Sequence, residues 1–153
     1  MFNFPVFIDL ESQDVVVVGG GNVANRKVKK LLSASANVTV VAPELHSELK
    51  GFYANRKIHW IEEHCKPEHL KSAFMIISAS GNEEAQHIIN STVTSHQLVN
   101  GADNPSIGNI SFPASFEEDD YHIAISTKGK NPSAAKKLKH RLQKWLQLEN
   151  KKY

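Results

Sequence analysis

Gly19, Gly21 and Ala24 stand at the spacing G-x-G-x-x-A, directly after the valine run Val15 to Val18. Glycines at a strand end let the chain turn sharply and let a phosphate approach the backbone. A helix opening there, here at Asn22 and Val23, offers free N–H groups and a positive dipole end to that phosphate. The chemistry this spacing serves is dinucleotide binding; a tight turn without a ligand is the bland alternative. An acidic residue for the cofactor ribose is expected about 20 residues on. Ala42 stands there instead. Pro43 and Glu44 follow it, and Glu44 is the candidate ribose contact. No Arg or Lys stands beside it to take a ribose phosphate, which favours NAD over NADP.

Three further groups could do chemistry. Ser78, Ala79 and Ser80 end a strand, and residues this small let a cofactor lie against the backbone. A plain helix cap by Ser80 or Asn82 reads equally well, and both roles can hold together. Asp103, in Asn100-Gly-Ala-Asp103-Asn-Pro105, lies where open parallel sheets bind ligands and could act as a general base. Composition alone favours an Asx turn before the proline. Lys128, Lys130, Asn131 and Ser133 form a loop before a helix, suited to carboxylates or phosphate; composition alone favours a solvated basic loop. The 8 histidines are scattered without metal-ligand spacing, so no metal site is expected. His64, Cys65 and His69 read as residues of a surface loop.

The elements that must position these groups alternate. Strands are expected at Val6 to Leu10, Asp14 to Val18, Asn37 to Ala42, Lys57 to Ile61, Phe74 to Ala79 and Gln97 to Asn100. Helices are expected at Asn22 to Ser33, from Pro43-Glu44 onward, at Pro67 to Ser72 and from Gly81-Asn82 to Thr94. Short β-α repeats of this kind predict a parallel sheet. After Asn100 the pattern changes. Strands are expected at Ile107 to Phe112 and His122 to Ser126, with Glu117 to Asp120 as a solvated turn. A helix from Ser133 to Glu149 carries the apolar face Ala134, Leu138, Leu142, Trp145 and Leu146, suited to packing or subunit contact.

Composition bounds the rest. At 153 residues, 41% apolar and a net charge of +2, the chain suits one domain with a small appendage and gives no sign of a nucleic-acid partner. A single cysteine excludes an internal disulfide, and no apolar run is long enough to span a bilayer. The beginning lacks the basic region of a signal peptide, so a cytoplasmic protein is expected.

Taken together, the motifs resemble the siroheme synthase N-terminal module, the precorrin-2 dehydrogenase family. Pro5-Val-Phe-Ile-Asp-Leu10 matches its opening P-[IV]-F-x-x-L. Gly19-Gly-Gly-Asn-Val-Ala-Asn-Arg26-Lys27 matches its fingerprint, the Arg-Lys pair being the more specific mark. Val38 to Glu44, Asn100 to Pro105, Ile110 to Ala114 and Ala124 to Pro132 match further segments in order. The resemblance implies a Rossmann-type α/β domain, residues 1–107, which binds NAD. It implies a small α+β dimerisation element, 108–153, and hence a homodimer; the family's further helical region is absent or truncated. It also implies oxidation of precorrin-2 to sirohydrochlorin, with iron insertion in some members. Asp103 takes the position of the family's catalytic aspartate, which overturns the preference for a turn. Lys128, Lys130, Asn131 and Ser133 then become candidates for the substrate's carboxylates. A different class, an NAD-binding redox sensor that relays its state through the Trp145 helix, needs only the glycines.

Overall fold

The computed structural model describes residues 4–104 and 106–149, so Pro105 and Tyr153 lie outside the described residues. These fall into two compact units, Val6–Ile110 and the remainder.

The first unit is built on five parallel strands: β1 (Asp14–Val18), β2 (Asn37–Val41), β3 (His59–Ile61), β4 (Met75–Ser78) and β5 (Leu98–Gly101), in the spatial order β3-β2-β1-β4-β5. The valine run takes the centre. Val16 and Val18 join a core with Ile76, Ala85, Ile89 and Val99, while Val15 and Val17 turn to the opposite face and are as deeply buried. Burial on both faces is what a run of β-branched residues requires. Helix α1 (Asn22–Ser33) buries Ala24, Asn25, Val28 and Leu31. Helices α2 (Ser47–Ala54) and α3 (Glu83–Thr92) follow β2 and β4, and Pro67–His69 is a single 3-10 turn.

The helix expected at Pro67 to Ser72 is thus cut to that single turn, and three further expected elements of this unit differ. Val6 to Leu10 forms no strand: both edges of β1 are taken by β2 and β4, and Val6 and Phe7 stay exposed. Helix α2 starts at Ser47, not at Pro43-Glu44, because the His46 N–H donates to Gly20 and the His46 ring accepts from the Glu48 N–H as the helix cap. Ile107 to Phe112 makes one antiparallel bridge, Gly108 to Asn100, rather than a strand. Gly108 has φ +106°, and a Cβ there would lie 2.2 Å from the Val99 carbonyl oxygen, so the chain folds back tightly onto β5.

In the second unit, β6 (Ala114–Glu118) and β7 (Tyr121–Ile125) form an antiparallel hairpin, and α4 (Pro132–Glu149) packs on it. The turn is shorter than expected, since Glu117 and Glu118 belong to β6. Gln147 donates to Glu118, 3.2 Å away. Ala135 is the buried residue of α4, whereas Leu138, Trp145 and Leu148 are exposed.

Candidate dinucleotide site

The glycine triplet lies where β1, β2 and β4 end together. Gly19 has φ +121°, and its N–H donates to Val41. A Cβ on it would sit 2.5 Å from the Ala79 carbonyl oxygen, so only glycine lets β1 and β4 close at this point. Gly20 is as tightly held, because a Cβ would lie 1.9 Å from the Glu44 carbonyl oxygen. Gly21 differs. A Cβ there would meet nothing within 4 Å, and no side chain caps α1 behind it. Open space beside an uncapped helix N-terminus fits a pyrophosphate, which the first-turn N–H groups of Asn22, Val23 and Ala24 could meet.

The surrounding cleft holds about 420 Å³ and is lined by Gly19 to Gly21, Pro43, Glu44, His64, Cys65, Ala79, Ser80, Asn82 and Glu84. It opens at the carboxyl ends of β1 and β4, where the strand order reverses, the place at which open α/β sheets bind ligands. The structure therefore brings most of the expected cofactor residues to one wall. Ser78 and Ala24 stand behind it, both fully buried, and Ala24 serves as the close-packing third position of the fingerprint. Asn82 caps α3 by accepting from the Ala85 N–H, while Ser80 accepts from the Asn82 N–H. The cap and the cleft wall are thus the same residues.

Position 42, where an acid is expected, is Ala42, which is buried and lines the cleft, and its carbonyl accepts from the Trp60 ring N–H. Glu44 is exposed on the cleft rim two residues further on.

Cys65 is not the surface residue its neighbours suggested. It is buried in the core beside the cleft, and burial, aided by the charge of Glu68, pushes its thiol up to about 11. Such a thiol is inert. His69 is likewise fixed, with one ring nitrogen accepting from the Lys66 N–H and the other 2.9 Å from Glu63. Among the described residues no cluster of His, Cys, Asp and Glu could hold a metal.

Asp103 follows β5, and both its oxygens reach back to β4 and the loop after it. Oδ1 accepts from the Ser78 hydroxyl at 2.9 Å, and Oδ2 from the Gly81 N–H at 2.7 Å. Burial of the carboxyl opposes its ionisation. Hydrogen bonds from Gly81, Ser78, its own N–H and Gln86 outweigh that, and hold it below the usual carboxylate range. It is a carboxylate at neutral pH, fixed against the strand end that closes the cleft.

Lys128, Lys130, Asn131 and Ser133 all lie in the loop and first turn before α4. Asn131 accepts from the Ala134 N–H and so caps the helix, while Lys128 and Gly129 both have positive φ. Lys128, Lys130 and Ser133 are exposed.

Lys27 had no role assigned from sequence. Its amine donates to Asn100 Oδ1 at 3.0 Å, and Asn100, itself buried, donates to the Ile110 carbonyl. Burial, reinforced by the charges of Lys30 and Arg26, pulls the Lys27 amine down to about 8. The available signal was the Arg26-Lys27 pair in the family fingerprint, which marks the lysine without giving it a partner.

Sheet order, glycine turn and cleft define a dinucleotide-binding protein of the Rossmann class. Residues 6–114 match the family described as "Putative NAD(P)-binding". Precorrin-2 dehydrogenase of Bacillus subtilis is 31% identical over 140 residues, which is 92% of this chain and 86% of that protein. Siroheme synthase of Neisseria meningitidis serogroup C is 37% identical over 141 residues, which is 92% of this chain but only 29% of that protein's length. The solved structure of SirC, a precorrin-2 dehydrogenase, superposes with a TM-score of 0.85 at 33% identity, covering 93% of this chain and 70% of that one. The chain belongs to the precorrin-2 dehydrogenase family.

Proposed function

We propose that this protein oxidises precorrin-2 to sirohydrochlorin, using NAD as the oxidant. The observation that carries the reading is the pairing of an open pyrophosphate cradle at Gly21 with a carboxylate, Asp103, fixed against the end of β4, the strand beside β1. Relatives of that name match over nearly the whole chain. Bound NAD would accept a hydride from the substrate carbon. The accompanying proton goes to Asp103, whose oxygens each keep a lone pair beyond the bonds to Ser78 and Gly81. Because those bonds make it a weak base, placement contributes more than proton affinity, and the proton passes on to water. Precorrin-2 and NAD+ thereby give sirohydrochlorin, NADH and one proton.

Glu44 and Glu84 on the cleft wall favour NAD over NADP, since a ribose phosphate there would meet carboxylates. Lys128 and Lys130, with the α4 N-terminus at Asn131 and Ser133, are cationic and anion-binding groups suited to substrate carboxylates. The exposed Leu138, Trp145 and Leu148 support a homodimer. Among the described residues no helix is long and apolar enough to cross a membrane, in keeping with a cytoplasmic enzyme. No observation supports a sensor, for which a carboxylate fixed at Asp103 has no use. Anaerobic incubation with precorrin-2 and NAD, followed by ferrous ion, tests the reading. Sirohydrochlorin must form in step with NADH, and a later metal-dependent spectrum would add iron insertion.

A further inference from the structure

Lys27 sits on the second turn of α1, the helix whose N-terminus faces the pyrophosphate cradle. It reaches Asn100 on β5, a strand separated from β1 by β4. Three residues after Asn100 stands Asp103, and between them the Ala102 N–H donates to the Ser78 carbonyl at 2.9 Å. Ser78 in turn donates to Asp103. The helix that receives the cofactor and the turn that carries the carboxylate are thus joined by side-chain bonds through the sheet's middle. This linkage costs stability: burial and the charges of Lys30 and Arg26 disfavour the charged form of the Lys27 amine. An apolar side chain of the same length would pack there without that penalty. A costly polar contact between two functional elements points to placement, not to folding.

We propose that Lys27 is a positioning residue, which through Asn100 fixes the Asp103 turn relative to the dinucleotide-binding helix. The proposal rests on the dehydrogenase reading for its kinetic arm only.

Lys27→Met and Lys27→Arg test it beside the unaltered protein, with NAD affinity, urea midpoint, turnover and amide exchange measured on each. In Lys27→Met, NAD affinity is expected within about twofold of the unaltered protein and the urea midpoint equal or higher. Turnover is expected to fall at least tenfold, with KM for precorrin-2 changed less than threefold. Lys27→Arg is expected to recover a large part of kcat, since a guanidinium can still donate to Asn100. In the NAD-bound protein, exchange of the Ala102 and Asp103 amides is expected to quicken at least tenfold in the Met variant. Unchanged turnover in Lys27→Met overturns the proposal, as does a loss of turnover that follows weakened NAD binding. Should the unaltered protein not turn over precorrin-2, the function reading fails, and amide exchange alone decides. Unchanged exchange then overturns the positioning role.

Discussion

Asp103 Oδ2 accepts a 2.7 Å hydrogen bond from the Gly81 N–H, at a glycine with φ +64°. With Ser78 on the other oxygen, one carboxylate pins the end of β4, the loop that walls the cleft and the turn after β5. Its charge and its hydrogen bonds can be separated by substitution.

Asp103→Asn keeps an acceptor for Gly81 and a group that can pair with Ser78, but removes the proposed base. Turnover is expected to fall by about 10²-fold or more while NAD binding persists. Asp103→Ala also frees the loop and is expected to cost about 1–3 kcal/mol in urea unfolding. Both variants differ most from the unaltered protein at neutral pH. Because the folded-state pKa is depressed, the stability from this carboxylate is present above the usual carboxylate range and is lost as pH falls through it. Denaturation curves at neutral and acid pH check the sign.

The glycines separate folding from binding. Gly19→Ala places a methyl against the Ala79 carbonyl at a positive φ and is expected to destabilise by on the order of 2–3 kcal/mol. Gly21→Ala meets no atom of the protein. Its urea midpoint is expected to stay put while the Kd for NAD rises at least tenfold, measured by titration calorimetry.

Glu44 is the proposed ribose contact. Glu44→Arg replaces a carboxylate on the rim with a cation, so the ratio of NADP to NAD affinity is expected to rise at least tenfold. Competition of the two nucleotides for the variant reads this directly.

Lys27 gives a signature at alkaline pH. Its amine titrates near 8 in the fold and near 10.5 unfolded, so between these values the unfolded chain binds the extra proton. Stability contributed at this site therefore rises as pH climbs from 8 toward 10.5, by on the order of 1–2 kcal/mol once partial exposure is allowed for. Lys27→Met is expected to flatten that part of the pH–stability curve.

Much of this was legible in the residues. The Val15–Val18 run and the glycines after it carry their own strand, turn and cofactor, because burial on both faces and positive φ are local demands. What escaped depended on partners far along the chain. Val6 to Leu10 has strand composition, but its neighbour in sequence, β1, is already flanked by β2 and β4. Pro43-Glu44 looks like a helix start, yet His46 spends its N–H on Gly20. Cys65 was misplaced to the surface because the charged residues around it hide its inward turn. Lys27 and Asn100 lie 73 positions apart, and neither residue type announces the other.

The central claim is that NAD held at the Gly21 cradle oxidises a tetrapyrrole, with the carboxylate of Asp103 taking the proton. Its most direct test is the absorption spectrum of precorrin-2 incubated anaerobically with the protein and NAD. The account predicts sirohydrochlorin and NADH appearing in equal amounts, both abolished in Asp103→Asn. Binding of NAD with no change in the tetrapyrrole spectrum would contradict it.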